Sequence, residues 1–500
     1  MSDKPREYCG IYGIYNHPDA ALHTYYGLHA LQHRGQESAG IVSSYYDEKK
    51  GRPAMPAYKD FGLVLNVFDD PKVLKKVLKG NKAIGHNRYS TSGSSKNPAN
   101  IQPFRVHYRK GNLAIGHNGN LSNAKQIRER FRKEGVLFQS TSDTELILHL
   151  ISHSLYEDQL DQIMDALRQI EGAYCLVIMT DDKLIAVRDP NGFRPLAIGK
   201  VDGAFCVASE TCAFDINNAE YIRDVKPGEV VVIDDEAVET GEPKSFFIPP
   251  TKGTGTSQCI FEYVYFSRPD SMIFGEMVDK IRRNLGKQLA KEHPLDKIIK
   301  NNTTGRKPVV MSVPDSSNTA ALGYASESRK LGHECKYDMG LIRNHYVGRT
   351  FISPGQKSRE QKVRTKFNPV RGVIEGRNII IVDDSIVRGT TSRYLVDMIR
   401  DCNPAEIHFL VSSPPIISPC YYGMDFPSPE ELIANKFDRD IEKMAKEIGV
   451  DSLCYLSPDG LVDAVKEANP SDADYCTACF TGNYPVPVNF GVEKEANDLI

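Results

Sequence analysis

Two adjacent acids close an apolar run in Ile379-Ile-Ile-Val-Asp-Asp-Ser-Ile-Val-Arg-Gly-Thr-Thr-Ser392. The run reads as a buried strand, and Ser385 to Thr391 reads as a loop that opens a helix. Such a loop, at the carboxyl end of a parallel strand, offers an anion both backbone N–H groups and the positive end of a helix dipole. Gly389 permits close backbone approach, while Thr390, Thr391 and Ser392 add hydroxyl donors. Asp383 and Asp384 would repel a phosphate. They suit ribose hydroxyls, or a Mg²⁺ that bridges to a pyrophosphate. A capped turn with solvated acids is the plainer alternative, and the complete string outweighs it.

Two other groups could do chemistry. Cys9 opens Cys9-Gly-Ile-Tyr-Gly-Ile14 and is followed by polar blocks set beside apolar runs: Leu31 to Ile41, Gly85 to Thr91, Gly116 to Asn120, and Ser142-Asp143. Taken singly, Arg88 and Asp143 suit ordinary ion pairs, and Asn118-Gly119 suits a hairpin turn. Near the other end, Cys476-Thr-Ala-Cys479 can place two thiolates on one metal centre. With Cys259 and Cys420 the set suits Zn²⁺ or an iron–sulfur cube, and spacing does not choose between them.

The elements that must position these groups divide into two patterns. In the first half, Asn112–Gly116, Tyr174–Met179, Lys183–Val187 and Glu229–Ile233 read as strands, with helices over Asn123–Glu134 and Asp143–Leu155. Strands with few interleaved helices point to a sheet-rich layered domain. Pro249-Pro-Thr-Lys-Gly-Thr-Gly-Thr-Ser257 is a Pro/Gly-rich boundary. Beyond it Met277, Ile281, Leu285 and Leu289 step by four as on an amphipathic helix. Pro308–Val313, Arg377–Val382 and Glu406–Val411 read as buried strands alternating with helices at Thr319–Leu331 and Arg393–Arg400. That alternation predicts a parallel sheet. From about Ser457 the pattern is less regular.

Composition narrows the function class. The chain has 500 residues, 40% apolar and 25% charged, as two globular domains would. A net charge of −3 argues against non-specific nucleic-acid binding. No run has the apolar length of a membrane span, and Met1 to Tyr8 lacks the apolar core of a secretory signal. A cytoplasmic enzyme with no membrane partner is expected. The eleven cysteines therefore do not read as a disulfide framework. Cys175, Cys206, Cys212, Cys335, Cys402 and Cys454 read as buried apolar residues.

The string from Ile379 to Ser392 resembles the phosphoribosyl diphosphate signature of type I phosphoribosyltransferases. The resemblance implies that Asp383 and Asp384 hold ribose and Mg²⁺. It also implies that Ser385, Arg388, Gly389, Thr390 and Thr391 cradle the 5′-phosphate. Val313 to Tyr324 resembles the loop after that family's first core strand, which makes Ser316 a Mg²⁺ contact. Arg343 to Ile352, with the basic stretch to Arg371, resembles the loop that closes over substrate. There His345 departs from the expected Lys/Arg-Asn-Arg-Tyr pattern.

The blocks between Cys9 and about Pro249 resemble the class II glutamine amidotransferase domain. This implies Cys9 as nucleophile with its own α-amine as base, so residues 1–8 would be a removable propeptide. Asn118 and Gly119 would donate to the oxyanion, Arg88 would pair with the glutamine α-carboxylate, and Asp143 would hold its α-ammonium. Thr91 and Arg34 would line the pocket. The implied fold is an N-terminal-nucleophile hydrolase αββα sandwich of four layers, followed by a Rossmann-like parallel-sheet domain.

Gln258 to Ser271, Ser412-Ser-Pro-Pro with Pro419 to Asp425, and the terminal CxxC resemble the cluster-containing branch of the amidophosphoribosyltransferases. That implies a structural 4Fe–4S cluster on Cys259, Cys420, Cys476 and Cys479. The implied reaction converts glutamine, water and phosphoribosyl diphosphate to phosphoribosylamine, glutamate and pyrophosphate. Purine nucleotides would be feedback inhibitors of a homo-oligomer, dimer or tetramer. The expected divisions are 1–8, 9–250, 258–456 and a cluster-bearing tail at 457–500. The rival readings are another class II amidotransferase, such as the glucosamine-phosphate synthase type, and a non-catalytic phosphoribosyl-binding regulator.

Overall fold

A computed structural model describes residues 9–89, 97–250, 255–299, 304–344, 364–470 and 473–488. The expected propeptide at 1–8, Thr91, and His345 with most of its loop lie outside the described residues.

The first half stacks two antiparallel sheets. One has eight strands; its central four are Ala204–Ala208, Gly10–Tyr15, Lys82–Arg88 and Ser38–Asp47. The other has six, ordered Lys244–Phe247, Glu229–Ile233, Leu184–Arg188, Gly172–Thr180, Gly111–Leu121 and Phe104–Tyr108. Ile11, Ile84, Ala114, Val177 and Val231 meet between the sheets in one apolar layer. Helix Ala20–Ala30 covers the outer face of the first sheet. Helices Ala124–Lys133, Thr144–His153 and Gln159–Leu167 cover the second. The four layers are those expected.

The second half is built on five parallel strands, ordered Lys336–Tyr337, Val309–Ser312, Asn378–Asp383, Glu406–Val411 and Ser452–Tyr455. The chain reverses its direction of winding between Val309–Ser312 and Asn378–Asp383. A crevice therefore opens at the carboxyl ends of these two strands, where open parallel sheets bind ligands. Helix Val278–Glu292 buries Ile281, Leu285 and Leu289 against this sheet's neighbours. Met277 stands exposed just ahead of the helix.

Three readings need correction. Asn118-Gly119 is no turn: it lies within strand Gly111–Leu121, paired with Gly172–Thr180, because ladder pairing overrides local turn preference. The stretch after Ser457 is not irregular. Ser457 caps helix Pro458–Ala468 by accepting from Gly460 N, and Leu461, Ala464 and Val465 enter the core that holds Ile281 and Leu285. A division at 456/457 therefore cuts through one packed body. The expected helix start at Arg393 also moves earlier, to Thr390.

Candidate active sites

Strand pairing builds the first site. Gly10 lies opposite Asn87, which sets Cys9 beside Arg88 and Tyr89. The Cys9 thiol is buried, 6% exposed, with Sγ donating to the Tyr89 carbonyl at 3.6 Å. Burial pushes its pKa up to about 11; Arg88 pulls it back, while Asp143 and Glu37 add to the rise. These three charges surround the thiol. His86 Nε2 donates to the His117 carbonyl at 3.0 Å, tying the Arg88 strand to the Asn118 strand. Burial holds His86 down at about 3, so its ring is neutral near pH 7.

Asn118 is fully buried, and neither its Nδ2 nor its Oδ1 has a hydrogen-bond partner among the described residues. Leaving such groups unsatisfied costs about 1–3 kcal/mol, so the arrangement suits a group that receives a ligand. Gly119 has φ +154°, and a Cβ there would stand 2.0 Å from the Ala173 carbonyl oxygen, so only glycine fits. Asp143 precedes helix Thr144–His153, and its Oδ2 accepts from Leu121 N at 3.0 Å.

Arg34 is the clear departure. Its Nε donates to Glu210, and its Nη2 donates to Glu262 Oε2 at 2.6 Å and to Ser267 Oγ at 3.1 Å. The guanidinium is occupied by carboxylates between the two domains, so Arg34 is withdrawn from the glutamine pocket.

The second site lies in the crevice. Ser316 and Ser317 follow strand Val309–Ser312, while Asp383 ends strand Asn378–Asp383 and Asp384 follows it. Ser316 Oγ donates to Asp384 Oδ1, and Ser317 Oγ donates to Asp383 Oδ1 at 3.0 Å. Ser385 Oγ donates to Asp384 Oδ2 at 2.7 Å. Gly389, at φ +77°, precedes helix Thr390–Arg400 and has no side chain with which to cap it. The amino end of such a helix suits an anion. Arg388 reaches Glu431 through Nε at 3.3 Å and Nη2 at 3.0 Å, so its head group is engaged away from the two acids. Arg343 Nη1 donates to Asp315 at 2.6 Å.

The cysteines at 259, 420, 476 and 479 converge. Gln258–Cys259 and Tyr475–Cys476 form a short parallel pair with Cys259 opposite Cys476. Ile417 N and Ser418 N donate to the Cys479 carbonyl at 2.9 and 3.1 Å, which brings the Cys420 segment alongside. Burial pushes the Cys259 thiol up to about 11, and Cys476 and Cys479 higher; neighbouring members of the set add to each rise. Yet no three of their sulfurs lie within 4.8 Å of one another; among the described residues that closeness occurs at His17, His23 and Asp202. One tetrahedral Zn²⁺ with bonds near 2.3 Å would need thiolates about 3.8 Å apart. A cube, whose thiolates bind separate irons, accepts wider spacing.

A family model for the glutamine amidotransferase domain matches residues 86–215. The amidophosphoribosyltransferase of Bacillus subtilis is 46% identical over 484 residues, covering 96% of this chain and 95% of that protein. That of Methanocaldococcus jannaschii is 45% identical, covering 96% of this chain and 98% of its own length. The chain belongs to the amidophosphoribosyltransferase family.

The fold agrees with solved amidophosphoribosyltransferases. A structure described as the allosteric regulatory enzyme of purine biosynthesis has a TM-score of 0.86 at 44% identity, covering 98% of each chain. The B. subtilis glutamine phosphoribosylpyrophosphate amidotransferase complexed with ADP and GMP has a TM-score of 0.84, also at 44% identity, covering 98% of this chain and 100% of that one. The chain is accordingly a glutamine-dependent amidophosphoribosyltransferase of purine biosynthesis, not a non-catalytic regulator or another class II amidotransferase. Sequence reasoning overlooked Glu37, whose charge reaches Cys9, and Ser317, whose hydroxyl meets both acids. The adjacent Ser316-Ser317 pair was the available signal for Ser317.

Proposed function

We propose that Cys9 attacks the side-chain amide of glutamine and that the ammonia released adds to phosphoribosyl diphosphate in the crevice below Asp383 and Asp384. The observation that carries the first step is the buried amide of Asn118, which has no partner among the described residues. Its Nδ2 and the N–H of Gly119 are the donors assigned to the tetrahedral oxyanion. Arg88 pairs with the α-carboxylate and Asp143 with the α-ammonium. A thiol held near 11 is a weak nucleophile at neutral pH, so a base is needed. Removal of residues 1–8 would supply one, the α-amine of Cys9, which titrates near neutrality.

In the crevice, Asp383 and Asp384 accept the ribose hydroxyls, while Ser385 to Thr391 and the first turn of helix Thr390–Arg400 take the 5′-phosphate. Ser316 Oγ meets Asp384, Ser317 Oγ meets both acids, and oxygen donors of this kind suit a hard cation, with Ser316, Asp383 and Asp384 as the assigned ligands. They would hold Mg²⁺, which when bound neutralises the leaving pyrophosphate. Ammonia passes between the sites inside the protein, because protonation in bulk water would remove its lone pair.

The four cysteines, three buried and Cys420 partly so, fit a 4Fe–4S cluster that fastens the C-terminal segment to the start of the second domain. Purine nucleotides are the proposed regulators, a reading supported by the ADP and GMP in the B. subtilis complex. A cytoplasmic homo-oligomer, dimer or tetramer, completes the proposal. Among the described residues no helix is long and apolar enough to cross a membrane.

The test replaces Cys9 by Ala. Glutamine-dependent phosphoribosylamine formation should vanish while ammonia-dependent formation continues. Persisting use of glutamine would show that another group is the nucleophile.

A further inference from the structure

The strand that carries Asn118 and Gly119 continues into Asn120, whose side chain leaves the ladder. Asn120 Nδ2 donates to the Tyr421 carbonyl at 2.9 Å, so the glutamine half grips the second domain one residue after Gly119. Tyr421 lies between Cys420 and Tyr422, and the Tyr422 N–H points at Cys420 Sγ at 3.4 Å. This segment is itself held firmly. The Tyr422 carbonyl accepts from Arg194 Nη2 at 2.8 Å, its ring stacks on Phe193 at 4.3 Å, and its hydroxyl donates to the Val486 carbonyl at 2.6 Å.

Upstream of Gly119 the ladder to Gly172–Thr180 continues, and His117 is held through its N–H by Gln102 Oε1 and through its carbonyl by His86. On the far side Asp143 Oδ2 holds Leu121 N at 3.0 Å. Gly119 and its near neighbour across the ladder, Gly172, both adopt positive φ, at +154° and +115°. No Cβ at either residue braces this part of the ladder. Where the ladder ends, the anchors at Asn120 and Leu121 add to it in fixing the Asn118 and Gly119 donors.

We propose that Asn120 is a positioning residue for glutamine hydrolysis, anchoring the Asn118–Gly119 donors to the Cys420–Tyr422 segment of the other domain. The inference rests on the reading of Asn118 and Gly119 as oxyanion donors. Such donors act only when held within about 0.5 Å of the productive geometry. Misplacement by about 1 Å can cost roughly 100-fold in rate. Arg88 lies on strand Lys82–Arg88 and Asp143 precedes helix Thr144–His153, so their own elements carry them, although Leu121 N ties Asp143 to this strand; binding and turnover should separate.

The test uses the full enzyme with Asn120→Asp, which keeps the shape but turns the donor into an acceptor, and with Asn120→Ala. In both, glutamine-dependent kcat should fall about 10- to 100-fold with little change in KM for glutamine. Ammonia-dependent synthesis should be retained, and hydrogen exchange of the 420–422 amides should quicken. A glutamine-dependent kcat within about two-fold of the parent in both variants overturns the proposal. So does an equal loss of the glutamine- and ammonia-dependent rates, which would mark a merely structural role. Cys9→Ala, run in parallel, separates the two levels. If it still uses glutamine, the underlying assignment has failed. If it does not, and the Asn120 variants are unaffected, only the present inference has failed.

Discussion

Arg34, from the glutamine half, donates to Glu262, from the phosphoribosyl half, at 2.6 Å, with both side chains almost wholly out of contact with water. Glu210 takes the Arg34 Nε, and Arg194 approaches Glu262 at 3.2 Å from the other side. Burial opposes ionisation of Glu210, but Arg34 and then His33 reverse it and hold the carboxyl well below its usual range. Glu262 is lowered likewise against burial, by Arg34 and Arg194. Charges buried on this scale are tolerable only because each has its partner.

Arg34→Met should therefore destabilise the fold by about 3–5 kcal/mol, since it leaves two carboxylates buried with too little positive charge. Urea denaturation of the parent and variant measures this, and an unchanged midpoint would refute it. The pH dependence follows in sign. A carboxylate with a lowered folded pKa contributes stability above its unfolded value near 4.3, and loses it as pH falls through the lower folded value. In the variant the two carboxylates lose their main partner, their folded pKa rises towards or past the unfolded value, and that acid-induced loss should shrink or reverse.

Cys9 allows a prediction about the uncleaved chain. With residues 1–8 attached there is no α-amine at Cys9, and the thiol stays near 11. Alkylation of Cys9 by iodoacetamide, followed by peptide mass spectrometry, should be slow at pH 7 and rise about tenfold per pH unit towards that value. Cleavage should abolish this steep dependence. Rapid labelling of the uncleaved form at pH 7 would contradict the burial described.

Gly389→Ala puts a Cβ at φ +77° and 2.4 Å from Ile433 Cδ1. The loop must shift, and with it the N–H groups assigned to the 5′-phosphate. We expect KM for phosphoribosyl diphosphate to rise by about tenfold or more, the equivalent of a strain of 1–3 kcal/mol. Glutamine hydrolysis measured without that substrate should be unchanged, since the loop lies in the other domain. Equal effects on both reactions would show a general loss of folding.

Cys476→Ser removes one member of the cysteine set and the thiol opposite Cys259. Iron content and visible absorbance of anaerobically purified protein should fall together, and proteolysis after about residue 470 should quicken. Full iron loading in the variant would exclude Cys476 as a ligand.

Much of this was legible in sequence where local pattern and tertiary pairing agree. Glu229–Ile233 and Glu406–Val411 each follow a single Glu with a mostly apolar run, and their bounds coincide with the strands observed. Asp383 and Asp384 end such a run, so their place at a strand's carboxyl end follows. Legibility fails where a partner is remote. Nothing near Arg34 announces Glu262, which lies 228 residues away, so a buried cross-domain ion pair looked like a pocket residue. Asn118-Gly119 has turn chemistry and a strand's partners, and the partners prevail. Ser457-Pro458 did carry a legible helix start, with Leu461, Ala464, Val465 and Ala468 at helical spacing.

The pairing of Cys259 with Cys476 has a consequence for how the molecule is made. The two strands are among the first and last segments of the second domain to leave the ribosome. At about 5–20 residues per second, the earlier one waits ten seconds or more for its neighbour. The glutamine half can fold during that interval, whereas the cysteine set cannot assemble until Cys479 has been made. Any metal delivered to the full set must arrive after that point, on a chain whose first domain has had time to fold.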